Sequence, residues 1–153
     1  MKNKRGFEVA KGFENANINL PIRKTKYSAG YDIEAAEDCI IPAFKKGDKP
    51  TLVQTGLKAY MQDDEMLLLY NRSSNPGKRG LVLANGVGVV DKDYYGNPDN
   101  DGAIMFAFFN LKKEDIEIKK GDAIGQAIFQ KYLVTDDDIA SGERLGGFGS
   151  TSI

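Results

Sequence analysis

Two short stretches of this chain carry most of the side chains able to do chemistry. Asp91-Lys92-Asp93-Tyr94 follows the apolar run Val87-Gly88-Val89-Val90. In an extended strand, positions 91 and 93 share a face, so both carboxylates can enter one cavity. There they could orient a water or reach a metal through waters; the plainer alternative is an acidic strand end at a hairpin. Arg72-Ser73-Ser74 leads into Asn75-Pro76-Gly77. A cation beside two hydroxyls and free backbone amides at a turn suits a polyphosphate. The Walker spacing is absent, and a solvated turn with a serine capping a short helix accounts for the same residues. Asp32, behind Ala29-Gly30-Tyr31, offers one more carboxylate at a strand start, and Gln126 lies beyond the turn Gly121-Asp122. Near the end, Arg144 and Phe148 are the residues able to pair with phosphate or stack on a base.

The composition narrows the reactions these groups could serve. The chain has 153 residues, no His and one Cys, Cys39. A Ser-His-Asp triad, a HExxH zinc site and imidazole acid–base catalysis are therefore excluded. A single Cys forms no intrachain disulfide and supplies no Cys-cluster zinc site, which fits a reducing compartment. With 21 Lys+Arg against 22 Asp+Glu the net charge is −1, so nothing points to direct nucleic-acid binding or an anionic membrane. Lys2, Lys4 and Arg5 precede no apolar stretch, and no run approaches a membrane span. The expectation is a soluble cytoplasmic protein. What remains for chemistry is carboxylates, hydroxyls, Arg/Lys, backbone amides and a hard cation held by oxygen.

Those groups need a scaffold, and its pattern is β. Tyr31 to Ala35 and Asp115 to Lys119 alternate apolar and polar residues, as half-buried strands do. Leu52-Val53, Met66 to Tyr70, Leu81 to Leu83, Val87 to Val90, Ala103 to Phe109 and Ala127 to Leu133 are short β-branched or aromatic runs. Gly- and Pro-rich turns separate them, and 17 glycines exceed the ~7% usual share. Many short strands at close spacing predict an all-β sandwich, jelly roll or small barrel in one domain over 1–153. From about 141 onward the chain is too poor in apolar residues to pack a core, so it reads either as a disordered end or as a lid carrying Phe148.

Taken in order, Ala29-Gly30-Tyr31-Asp32-Ile33, Arg72-Ser73-Ser74, Leu81 to Asn97, Gly121 to Gln126 and Arg144 to Thr151 resemble the five motifs of the trimeric dUTPases. The resemblance runs from about Leu20 to Thr151. It implies a distorted jelly-roll (β-clip) subunit with a flexible C-terminal arm, assembled as a homotrimer whose sites each draw on three chains. It also implies hydrolysis of dUTP to dUMP and pyrophosphate with Mg²⁺ on the triphosphate. Residue by residue, Asp91 would hold the attacking water. Asn85 and the backbone at Val89 and Val90 would read uracil, and Tyr94 would pack on deoxyribose and reject a 2′-hydroxyl. Arg72, Ser73, Ser74 and Gln126 would bind phosphates from a neighbouring chain, and Asp32 would support the metal through water. Arg144 would meet the γ-phosphate, with Phe148 stacked on uracil and Gly149 and Ser150 beside the substrate.

The sequence departs from the family pattern in places. Pro98-Asp99-Asn100-Asp101-Gly102 reads as a short insertion after the third motif, Asn71 replaces the usual Gly or Pro, and the last motif is one residue shorter between Arg144 and Gly146. The rival enzyme is a dCTP deaminase of the same fold, whose Glu base sits in a different third motif. A rival of another class is a trimeric module, phage-encoded, that binds a regulatory protein partner.

Overall fold

A computed structural model describes residues 2–147. Eleven strands are present among them, all paired antiparallel: β1 (Gly6–Val9), β2 (Tyr31–Glu34), β3 (Cys39–Ile41), β4 (Thr51–Gln54), β5 (Leu57–Tyr60), β6 (Glu65–Asn71), β7 (Leu81–Leu83), β8 (Gly88–Asp91), β9 (Met105–Asn110), β10 (Ile116–Ile118) and β11 (Ala123–Lys131). One sheet has the order β2-β11-β6-β8 and a second β4-β9-β7, with β1-β5 and β10-β3 as two-stranded ribbons. The all-β expectation holds, and each apolar run named from the sequence contains or overlaps a strand.

The longest ladder joins β6 to β11, from Gly125 opposite Asn71 to Lys131 opposite Glu65. β6 carries Leu67, Leu68 and Leu69 into the protein, so it works as a strand covered on both faces. Phe106 and Phe108, on one face of β9, stack with centroids 6.0 Å apart and are fully buried with Ile33, Leu67, Leu81 and Ile124. Burial of each such side chain contributes about 1.5–3 kcal/mol. Gly125 lies under Phe106: a Cβ there would come within 2.3 Å of its ring. β11 begins at Ala123, ahead of the apolar run from Ala127, because Ala123 pairs with Glu34 on β2 and Gly125 with Asn71 on β6. The turn at Gly121, φ +86°, leads into β11 as the sequence suggests, and at Gly125 the missing side chain makes room for an aromatic.

Candidate active site

β8 delivers the third motif. Its alternation is strict: Gly88 and Val90 are buried, and Val89 and Asp91 are exposed. Gly88 sits on Leu69, where a Cβ would approach within 3.0 Å. Asp91 ends the strand opposite Met66. The chain then winds into a 3₁₀ turn, Lys92–Tyr94, so the strand periodicity expected through position 93 stops at 91. The two carboxylates converge all the same, because one guanidinium spans them. Arg144 donates from Nη2 to Asp91 Oδ2 at 2.5 Å and from Nε to Asp93 Oδ1 at 2.7 Å. Its Nη1 also donates to the Gly146 carbonyl at 3.2 Å. Hydrogen bonding to Asp93, with the charges of Asp93 and Asp91, holds the Arg144 guanidinium above its ordinary pKa.

The turn places Tyr94 inward, buried at 8% exposure. Its hydroxyl donates to the Ala103 carbonyl at 2.8 Å and accepts from Asn100 Nδ2 at 2.8 Å. Burial raises the phenol pKa, partly offset by the Asn100 hydrogen bond and the Arg144 charge, so at neutral pH it remains a donor. Gly147 lies on the ring, where a Cβ would meet Tyr94 Cε1 at 2.8 Å. Asn85 leaves β7 in a tight turn, with Gly86 at φ +71°. Together Asn85, Val89, Val90, Asp91, Tyr94 and Arg144 wall a cleft of about 270 Å³. Gly88 to Asp91 of β8 line one side of it.

The other expected site residues gather elsewhere. Gln126 is opposite Asp32 on β2 and Tyr70 on β6, and its Nε2 donates to the Asn71 carbonyl at 3.3 Å. Gly30 packs directly on Gln126: a Cβ would lie 2.2 Å from its Oε1. Arg72 follows Asn71, whose Oδ1 accepts from the Arg72 backbone N–H at 2.9 Å; Arg72 Nη1 donates to the Ala123 carbonyl at 3.1 Å. Asn71 therefore shapes the turn into the serines with its own side chain. Ser74 precedes a single π-helical turn, Asn75–Arg79, but makes no side-chain cap to it. The helix-capping alternative for the serines is not what the structure displays.

Asp32, Arg72, Ser73, Ser74 and Gln126 thus cluster at the Asn71 end of β6, whereas Asp91 faces Met66 near its other end. Six residues at ~3.3 Å rise put Asp91 and Arg72 about 20 Å apart along the sheet. One chain does not bring the two groups together. Phe148, Gly149 and Ser150 lie outside the described residues. The residue the sequence reading missed is Asn100, which it left inside an unexplained insertion; only the turn-rich run from Asn97 to Gly102 marked the place.

The dUTPase family model matches residues 16–152. The chain belongs to the dUTPase family. It is 53% identical over 149 residues to a deoxyuridine 5′-triphosphate nucleotidohydrolase of Lactococcus lactis, covering 96% of this chain and 97% of that one. The crystal structure of the dUTPase from Streptococcus mutans is 44% identical with a TM-score of 0.79, covering 86% of this chain and 98% of that chain. A mutant dUTPase from phage phi11 of S. aureus, described with a structural Mg(II) ion, shares the fold at 16% identity, TM-score 0.70, with 92% and 98% covered.

Proposed function

We propose that this protein hydrolyses dUTP to dUMP and pyrophosphate, keeping uracil out of DNA and supplying dUMP for thymidylate synthesis. The observation that carries this reading is Asp91 at the mouth of a cleft floored by Tyr94 and walled by the β8 backbone. Asn85 and the peptide groups at Val89 and Val90 pair with the edge of uracil. Cytosine reverses donor and acceptor there and would leave buried groups unpaired, the costly kind of mismatch. Tyr94 packs on deoxyribose and leaves no room for a 2′-hydroxyl.

Asp91 is exposed enough to hold a water and is placed to orient it toward the α-phosphorus. Arg72, Ser73, Ser74 and Gln126 come from a neighbouring chain and hold the phosphates, because a site confined to one chain would leave them about 20 Å from Asp91 along the sheet. The assembly is a homotrimer. On nucleotide binding Arg144 exchanges Asp91 and Asp93 for the γ-phosphate. Phe148 stacks on uracil, Gly149 and Ser150 follow it against the substrate, and residues from about 141 act as the lid.

Among the described residues no three His, Cys, Asp or Glu side chains converge on a cation. A Mg²⁺ that kept its waters and rested on substrate phosphates would need few protein ligands, and Asp32 would support it through water. When bound, it supplies neutralisation of phosphate charge.

The test is pyrophosphate release from dUTP, dCTP, dTTP and UTP, with and without chelator, alongside light-scattering mass. Selective, Mg²⁺-dependent turnover of dUTP by a trimer is expected. Equal rates on dUTP and dCTP would overturn the reading, and ammonia release from dCTP would replace it with a deaminase.

A further inference from the structure

The segment Asn97 to Gly102 is more than a longer hairpin. Asn97 is buried, and its carbonyl accepts from Asp101 N–H at 2.7 Å and from Asn100 N–H at 3.3 Å. Its Nδ2 donates to Asn100 Oδ1 at 3.0 Å, and Gly102 N–H donates to the same oxygen at 3.1 Å. A backbone N–H can only donate, so the oxygen of the Asn100 amide must face Gly102 and its NH₂ must face outward. That NH₂ meets the Tyr94 hydroxyl at 2.8 Å. The phenol then has one proton left to place, and it goes to the Ala103 carbonyl at 2.8 Å. Every group in this chain of bonds has one role available, which fixes the ring of Tyr94 by its far end.

The loop is itself held. Asp101, in the left-handed region at φ +61°, accepts from Lys58 Nζ at 2.7 Å and from Lys11 N–H at 2.9 Å. Lys58 Nζ also lies 4.8 Å above the Tyr95 ring, and the Tyr95 hydroxyl donates to Glu8. β1 and β5 therefore clamp both the loop and the residue next to Tyr94. A Cβ at Gly102 would stand 2.4 Å from the Tyr94 carbonyl, so the loop backbone is in direct contact with the tyrosine it serves.

We propose that Asn100 is a positioning residue for sugar selection: its amide pins the Tyr94 hydroxyl and so sets how closely the ring can meet a nucleotide sugar. This rests on the reading of Tyr94 as the sugar-contacting wall. Asn100 touches no substrate; it acts through one hydrogen bond. Held by both Asn100 and the Ala103 carbonyl, the hydroxyl end of the ring cannot shift to admit an extra hydroxyl; without Asn100 the Ala103 contact is its single tether and the ring can tilt about it.

The test is a mutant cycle read as the ratio of kcat/KM for dUTP over UTP, with melting temperatures alongside. Tyr94→Phe keeps the ring and removes the anchored oxygen; Asn100→Ala removes the anchor; the double variant removes both. Each single change should lower the ratio about 3- to 10-fold, the scale of one neutral hydrogen bond. The double variant should lower it no further than the larger single effect. Asn100→Asp keeps the acceptor for Asn97 and Gly102 and loses the donor to Tyr94. It serves where Asn100→Ala fails to fold, and the same loss of selectivity is expected. A lowered melting temperature with an unchanged ratio would make Asn100 merely structural and overturn the proposal, as would fully additive effects. Tyr94→Ala in parallel separates the failures. If it relaxes selectivity and Asn100 variants do not, only the Asn100 role falls; if it does not, the reading of Tyr94 falls and the Asn100 role with it.

Discussion

Arg144 bridges Asp91 and Asp93 through two different nitrogens, and its side chain is only 15% exposed while theirs are 52% and 57%. The cation is thus the more enclosed partner, set between strand end and 3₁₀ turn. Because both carboxylates are more than half exposed, water screens these pairs, and pairs so screened typically contribute under ~1 kcal/mol each, so this contact can be exchanged for a stronger one. A triphosphate offers that: more charge, and oxygens that accept a planar fork.

Arg144→Gln should therefore raise the KM for dUTP roughly 10-fold or more, the scale of a charged hydrogen bond. Inhibition by dUMP, which has no γ-phosphate, should change less than about 3-fold. Equal weakening of both nucleotides would show that the guanidinium serves the cleft as a whole rather than the terminal phosphate.

Gly102 and Gly96 make a matched pair for testing contact against conformation. Both have positive φ, +83° and +74°, but a Cβ at Gly96 meets nothing within 4 Å whereas one at Gly102 meets the Tyr94 carbonyl at 2.4 Å. Gly96→Ala should cost about 1 kcal/mol, from backbone strain alone. Gly102→Ala should cost roughly 2–4 kcal/mol, since backbone must also move. Thermal melting of the two variants checks this, and equal shifts would mean that the loop yields easily.

How much of this was open to the sequence depended on whether a residue acts locally. Val87 to Val90 announced a strand because its β-branched residues lie together in the chain, although the strand stops at Asp91 instead of running on to 93. β5 was missed although it alternates cleanly, because four residues carry little pattern and the partner that meets the Lys58 charge, Asp101, is 43 residues away. β1 and β3 were missed for a similar reason: four and three residues carry too little pattern, and each is stabilised by a partner distant in sequence. Asn100 had no local signature at all. Its role follows from which way one amide must face, and only the positions of Gly102 and Asn97 decide that.

Acid should loosen the clamp on that loop. Hydrogen bonds from Lys58 and then Lys11 hold the Asp101 carboxyl below the usual carboxylate range. A depressed pKa contributes stability that is present above the unfolded value and is lost as pH falls through the folded one. The melting-temperature gap between the native protein and Asp101→Asn should accordingly be constant near neutrality and close below about pH 4. Lys58 is raised by the same contact, so its share persists until pH climbs past that raised value. A gap that widens in acid would contradict the assignment.

The separation along β6 yields the most direct test of a shared site. Asp91→Asn keeps the shape but loses the charge; if Asp91 orients the water as proposed, kcat should fall by about 10²-fold or more with little change in KM. Arg72→Ala should be crippled for a different reason, through loss of a phosphate contact. Each protein alone lacks one half of every site. Refolded together, they can form trimers in which one chain brings an intact Asp91 and its neighbour an intact Arg72. Random mixing at equal amounts makes about a quarter of the sites whole, so activity should return toward that fraction of the native value. Mixing without unfolding should restore activity only as fast as folded subunits exchange. If the refolded mixture stays as inactive as its components, Asp91 and Arg72 serve within the same chain, and the strand that holds them apart would have to rearrange.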